Sequence, residues 1–205
     1  MSLSPFYLAY ADLRARIAPF RLRTDFETRK TVANIDALLN RARELDAGAK
    51  PSARFGWAVG HTVENFMERA ERYTAALEKG ESPLRGMFCE PGMSFIDHSF
   101  IEKDGVMHVF YIRGYVGYEW DTRFCDTFGH ASSTDLVHWQ DMGHIITAKE
   151  IRGQAPWVGW FGRMGVAYIE ECEKYALFAQ HNNSVFIALS DSPTGPFKVH
   201  KHIDM

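Results

Sequence analysis

With 205 residues, 46% of them hydrophobic and 14% aromatic, the chain can bury a core of one or two domains, which excludes a disordered or low-complexity segment. Its 23 Lys and Arg stand against 26 Asp and Glu, a formal charge of −3, so the basic balance of a nucleic-acid binder is absent. The apolar run in MSLSPFYLAYADLRARIAPF is too short for a membrane span, and its arginines follow the run instead of preceding it. The expectation is a cytoplasmic chain without nucleic-acid or membrane partners.

Residues 4 to 80 carry a helical period. Ser4 and Pro5 form an N-cap and first-turn pair, and Phe6, Ala9, Leu13 and Ile17 share a face before Pro19. A second helix is predicted from the Thr24–Glu27 capping box to about Gly48, with Ile35, Leu38, Leu39, Ala42 and Leu45 as its stripe. A third is predicted from about Ala53 to Gly80, with Val63, Phe66, Met67, Ala70, Tyr73 and Leu77 in register. Arg14, Arg16, Arg21 and Arg23 read as a solvated basic face, with a homo-oligomer contact through these helices as the minority reading.

Near Gly86 the period changes to that of strands. Phe95–Glu102 and Val106–Ile112 flank a Lys-Asp-Gly turn as a hairpin, and Gly129–Ser133 and Gly143–Thr147 add two strands around Asp135–Asp141. The unit recurs: the segment from Phe100 to Tyr111 aligns without a gap on that from Tyr168 to Ala179, and His130–Trp139 corresponds loosely to Ala188–Phe197. A recurring four-stranded meander is the signature of a propeller blade. The expected fold is therefore mainly β, two four-stranded antiparallel blades in residues 86–205 preceded by a three-helix segment in residues 1–85. Cys89, Cys125 and Cys172 are odd in number and lack a CxxC pair, so buried thiols are expected and neither a zinc site nor a disulfide framework.

The string Phe128-Gly-His-Ala-Ser-Ser-Thr-Asp-Leu-Val-His-Trp139 resembles the first-blade segment of glycoside hydrolase family 32, and more loosely that of family 43, the β-fructosidase and arabinanase clan of five-bladed propellers. Ser94-Phe-Ile-Asp-His-Ser-Phe100 stands where these families place the first-strand aspartate, and Ser190–Phe197 looks like a family 43 blade ending. The resemblance covers about residues 87 to 200. It implies the first two blades of five, the N-terminal part of a glycoside hydrolase or transglycosidase acting on a fructoside, arabinoside or xyloside. Asp97 would be nucleophile or general base, and two further carboxylates would come from later blades, so the chain alone is expected to be inactive. A non-catalytic carbohydrate-binding propeller and a structural half-propeller stay open as alternatives. No cofactor is expected; family 43 relatives often hold a central metal through histidine, but a single histidine is no metal signal.

Strand parity adds an argument independent of the resemblance. In an antiparallel meander the start of the first strand, the loop between the second and third, and the link to the next blade lie at one end. That end would hold Asp97 and His98, the loop residues Tyr118, Trp120, Asp121 and Arg123, the link residues Trp157, Trp160 and Arg163, and Gln180. Aromatic platforms beside planar polar groups suit a sugar, whose C–H face stacks and whose hydroxyls need paired donors and acceptors. Asp97 could equally be a turn aspartate capping local N–H groups, and His130 could be a packed histidine or a site residue. Parity puts Glu171-Cys172 in a turn at the opposite end, which rejects Glu171 as the general acid. Asp135 and Trp139 read as a turn cap and a packing aromatic.

Overall fold

The computed structural model describes residues 4–49, 61–84, 88, 90–118, 127–154, 162–181 and 184–204. It divides into two compact units, Met1–Met93 with Tyr115–Trp120, and Ser94–Gly114 with Asp121–Met205.

The first unit is helical. α1 (Pro5–Ile17) opens on Ser4, whose Oγ accepts from the Tyr7 N–H, and passes into a 3-10 turn over Ala18–Leu22. α2 (Phe26–Asp46) is capped by Asp25, whose Oδ1 accepts from the Thr28 N–H at 2.9 Å. The cap is thus one residue later than the Thr24 capping box predicts, because an aspartate is the stronger N-cap acceptor of the two. α3 (Val63–Glu78) starts at Thr62, whose hydroxyl takes the Asn65 N–H; the predicted start near Ala53 lies outside the described residues. Between the helices Ile17, Ile35, Leu38, Leu39, Ala42, Phe66 and Ala70 are wholly buried, and Val116, from the segment after the second strand, joins them.

Of the four arginines read as a solvated face, Arg14, Arg16 and Arg21 instead tie the helical segments together, and Arg23 is exposed. Arg21 and Arg14 both hold Asp36, and Arg16 reaches Glu71 and Glu78 on α3 at 2.8 Å as well as Asp12 at 3.3 Å. Those contacts raise the Arg16 pKa further above its already high value, Glu78 contributing most. Both glutamates are about half exposed, so solvent discounts the network. Arg16→Met is expected to cost about 1 kcal/mol at low salt and less than half of that in 1 M NaCl, where the Debye length is about 3 Å. Equal urea midpoints of the two proteins at low salt would contradict this.

The second unit holds two four-stranded antiparallel sheets, ordered β1-β2-β3-β4 and β5-β6-β7-β8. The strands are β1 (Met93–Lys103), β2 (Val106–Tyr115), β3 (Thr127–Ser133), β4 (Gln140–Thr147), β5 (Met164–Ile169), β6 (Lys174–His181), β7 (Ser184–Ser190) and β8 (Lys198–Asp204). This is the mainly-β pair of meanders that the repeat predicts. Asp104 and Gly105, at φ 54° and 78°, make the two-residue turn between β1 and β2, where positive φ at both central positions matches the twist of the strands. Sixty-eight residues on, Glu173 repeats the left-handed backbone of Gly105 at φ 53°, and β6 opens at Lys174 as β2 opens at Val106. Cys172 lies in that second turn, exposed, which corrects the buried thiol expected there; a turn side chain has no sheet face to pack against.

The connection between the sheets contains α4 (Ala148–Gln154), an element the sequence reading leaves as loop. Its signal is present: Thr147 Oγ1 accepts from the Glu150 N–H while Glu150 Oε2 accepts from the Thr147 N–H, a capping box at T-A-K-E. Ile151 of α4 is wholly buried with Phe110, Phe128, Ile146, Leu177 and Phe186, so one apolar core is shared by both sheets. Ser99 of β1 stitches the sheets, its Oγ accepting from the Val166 N–H of β5 at 3.0 Å. Among the described residues no helix is long and apolar enough to cross a membrane.

Candidate functional site

β1 begins at Met93, so Asp97 lies within the strand and not at its start, as the sequence reading had it. The strand is irregular there. Asp97 has φ 35°, in the left-handed region that L residues other than Asn and Asp seldom enter. Its side chain is half-buried, and among the described residues its carboxylate takes no hydrogen bond or ion pair. The turn-cap alternative therefore finds no capped N–H among those residues. A carboxylate left open on a strained strand position is the arrangement that recurs where a side chain is aimed at a ligand.

His98 is exposed and sits in a row of rings along β1, 5.1 Å from Phe95 and edge-on to Phe100 at 5.3 Å. Phe95 in turn stacks on Tyr111 of β2 at 4.9 Å. The Tyr111 ring crosses Gly129 so closely that a Cβ there would lie 2.5 Å from Tyr111 Cζ. Gly129 is thus set by the packing of a neighbouring ring and not by its own backbone.

Of the two readings of His130, the structure describes the packed one. His130 is wholly buried, lies flat on Phe110 with ring centroids 4.7 Å apart, and faces His108, whose Nδ1 is 2.9 Å from His130 Nε2. Burial, and then the neighbouring His108, push the His130 pKa down to about 4; burial also lowers that of His108. Both rings are neutral at pH 7, and the 2.9 Å contact is a single N–H···N hydrogen bond. Among the described residues His130 Nδ1 has no hydrogen-bond partner. Among the described residues no group of three His, Cys, Asp or Glu could hold a metal.

Register brings Arg163, just before β5, beside Gln180, near the end of β6. Arg113 of β2 pairs with Thr127 of β3, and Met164 of β5 with Ala179 of β6. Gln180 donates its N–H to the Arg163 carbonyl and accepts from the Gly162 N–H, both at 3.0 Å, so Arg163 and Gln180 are backbone neighbours at that end. Tyr118 belongs to the helical unit. Its ring carries the Arg41 guanidinium 4.5 Å from the centroid and its hydroxyl donates to Glu44, whose contact, after burial, raises the Tyr118 pKa. Trp120, Asp121, Arg123, Trp157 and Trp160 lie outside the described residues.

The expected structural roles of Asp135 and Trp139 are seen. Asp135 Oδ1 accepts from the Val137 and His138 N–H groups and Oδ2 contacts His138 Nδ1 at 2.7 Å, which together hold its carboxyl well below the usual range. Trp139 Nε1 donates to the Leu136 carbonyl. Glu171 is exposed in the turn between β5 and β6, opposite the end that holds Arg163. Sequence reasoning passed over Asn34 and Arg41 of α2, both almost wholly buried, which hold the segments flanking the first hairpin.

No family model matches the chain, and no curated protein matches it. Solved structures do. A GH43 β-1,3-galactosidase, solved with galactodeoxynojirimycin, is 20% identical, over 53% of this chain and 33% of that one, with a TM-score of 0.43. A GH43 enzyme from Xanthomonas citri, solved with xylose, is 17% identical over 53% and 32%, with a TM-score of 0.42. The RS223 β-xylosidase is 20% identical over 54% and 36%, with a TM-score of 0.43. The chain spans about a third of the length of these structures. Over about half of its own length, then, this chain is similar to glycoside hydrolases of family 43.

Proposed function

We propose that the strand-rich unit carries part of the site of a glycoside hydrolase or transglycosidase that acts on a fructoside, arabinoside or xyloside, with Asp97 as nucleophile or general base. The observation that carries this reading is Asp97 itself, a half-buried carboxylate at φ 35° inside β1 with no partner among the described residues. Glycoside chemistry needs a carboxylate free to attack the anomeric carbon or to take a proton from water there. A carboxylate already bonded to local N–H groups would serve neither purpose. The sequence resemblance of Ser94–Phe100 and Phe128–Trp139 supports the same role.

The other residues proposed to meet substrate in this unit are His98, Arg163 and Gln180; Asp121, Arg123, Trp157 and Trp160 belong to the same proposal and lie outside the described residues. Arg163 and Gln180 would bond sugar hydroxyls from one end of β5 and β6. Titrating the ¹⁵N-labelled 205-residue chain with arabinose, xylose and fructose tests this. Saturable shifts at the Asp97, His98, Arg163 and Gln180 amides are expected for one sugar. Shifts confined to other residues, or none with any sugar, would overturn the reading.

A further inference from the structure

Within the strand-rich unit, β1 changes phase at Asp97. Before it the even residues Ser94 and Ile96 are buried; after it the even residues His98, Phe100 and Glu102 are exposed, and Ser99 and Ile101 are the half-buried ones. Ile96 and Ile101 both pack in the core that the two sheets share. An odd separation puts two residues on opposite faces of a regular strand, so one residue between them must break the alternation. Asp97, at φ 35°, is that residue. Beyond the break, Ser99 is fastened to the other sheet: its Oγ accepts from the Val166 N–H of β5 at 3.0 Å and donates to the Val166 carbonyl at 3.4 Å. Val166 is 6% exposed, and it follows closely on Arg163, whose carbonyl takes the Gln180 N–H.

We infer that Ser99 is a positioning residue for Asp97: by gripping both backbone groups of Val166, its hydroxyl fixes where β1 resumes its alternation, and with that the placement of Asp97 relative to Arg163 and Gln180. The inference rests on the reading of Asp97 given above, and every residue in it belongs to the strand-rich unit. Its physical basis is the cost of a slip. A strand that carries one extra residue can place it at more than one point, and each step of the break turns a side chain to the other face. Ile96 and Ile101 do not choose among these points, because a break anywhere between them leaves both in the core. Ser99 does choose. A break beyond it would turn its hydroxyl outward and put Asp97 on a regular stretch of strand facing away from the core. The Val166 N–H would then be shielded from water and unpaired, and leaving a buried donor unsatisfied costs more than a hydrogen bond stabilises. A carboxylate that must meet one atom of a sugar tolerates little such motion, since catalytic groups need placement to about 0.5 Å.

The test is amide hydrogen exchange together with N–H residual dipolar couplings, which report bond orientation, on the 205-residue chain. In the wild type the Val166 amide should exchange within about tenfold of that of Leu177, its partner across β5 and β6. Ser99→Ala should speed Val166 exchange about 30-fold and change the coupling of the Asp97 N–H, while those of Leu177 and Phe186 stay as they are. Ser99→Thr, which keeps the hydroxyl, should restore both toward wild type. Ser190→Ala is the control for a serine that serves stability alone: Ser190 is 4% exposed and its Oγ accepts from the Ser192 N–H, so its loss should leave the Asp97 coupling untouched. A Val166 amide that is unprotected in the wild type overturns the inference. So does an Asp97 coupling that is unchanged in Ser99→Ala or changed as much by Ser190→Ala, and so does a threonine that does no better than alanine. The sugar titration is read separately: a wild-type Asp97 that answers to no sugar overturns the carbohydrate reading, whereas the exchange and coupling data decide the role of Ser99.

Discussion

Gly129→Ala is expected to destabilise the strand-rich unit by about 3 kcal/mol, a large part of the 5–15 kcal/mol typical of a domain. The added Cβ would lie 2.5 Å from Tyr111 Cζ, 2.6 Å from Cε2 and 2.9 Å from Arg113 Cγ. Tyr111 is wholly buried and stacked on Phe95, so its ring cannot swing away without opening the first sheet. Gly129 is also paired with Tyr111 across β2 and β3, so backbone retreat would break the ladder. Gly165→Ala is the control, because nothing lies within 4 Å of a Cβ at that position of β5. It should be neutral or stabilising by about 0.5 kcal/mol, since alanine has less freedom to lose on folding. Thermal unfolding should show a fall of roughly 12 °C for Gly129→Ala and little change for Gly165→Ala. A Gly129→Ala protein that melts with the wild type would mean that Tyr111 does not cross that strand.

The second large effect is on pH. Buried His130 has its pKa pushed down to about 4, from an ordinary value of 6.5. As pH falls the unfolded chain takes up the proton first, so the stability contributed by neutral His130 is complete above about pH 6.5 and is lost progressively towards pH 4. A separation of that size amounts to about 3 kcal/mol. His108, also depressed by burial, adds to the loss in the same direction. Urea unfolding of the strand-rich unit should therefore give a midpoint that is flat from pH 8 to 7 and falls steadily below 6.5. His130→Leu should flatten that slope, because a leucine has no proton to exclude. A midpoint independent of pH between 6.5 and 4.5 in the wild type would show that His130 is not held neutral by its surroundings.

The elements legible in the sequence were those whose cause is local. The stripe Ile35, Leu38, Leu39, Ala42 repeats at the helical period, and these are the residues α2 buries. The match of Phe100–Tyr111 with Tyr168–Ala179 announced two sheets, because hairpin register and turn position are written in a few adjacent residues. Where two local signals competed, as with Thr24 and Asp25, the stronger acceptor took the cap. α4 is marked by Thr147 and Glu150, but that capping box stands among residues with a strand period, which hides a helix of seven residues.

The site was legible only in part, for a different reason. Asp97 stands out by resemblance, but nothing in the neighbouring residues announces that its backbone is left-handed. Asn34 carries no motif; its hydrogen-bond partner is a glycine 58 residues away. Tyr118 looked like a sugar platform because aromatic residues in loops often are, yet its ring is occupied by Arg41 and its hydroxyl by Glu44. His130 shows the opposite case, where a motif histidine turns out to lie flat on Phe110 inside the sheet.

The account stands or falls on Asp97. Its most direct test is turnover of fructosides, arabinosides and xylosides by the protein that carries this chain, wild type against Asp97→Asn, which keeps the shape and removes the charge. The account predicts that this protein hydrolyses one class and that Asp97→Asn lowers its kcat/KM by about 10²- to 10⁴-fold. Undiminished turnover by Asp97→Asn would contradict it.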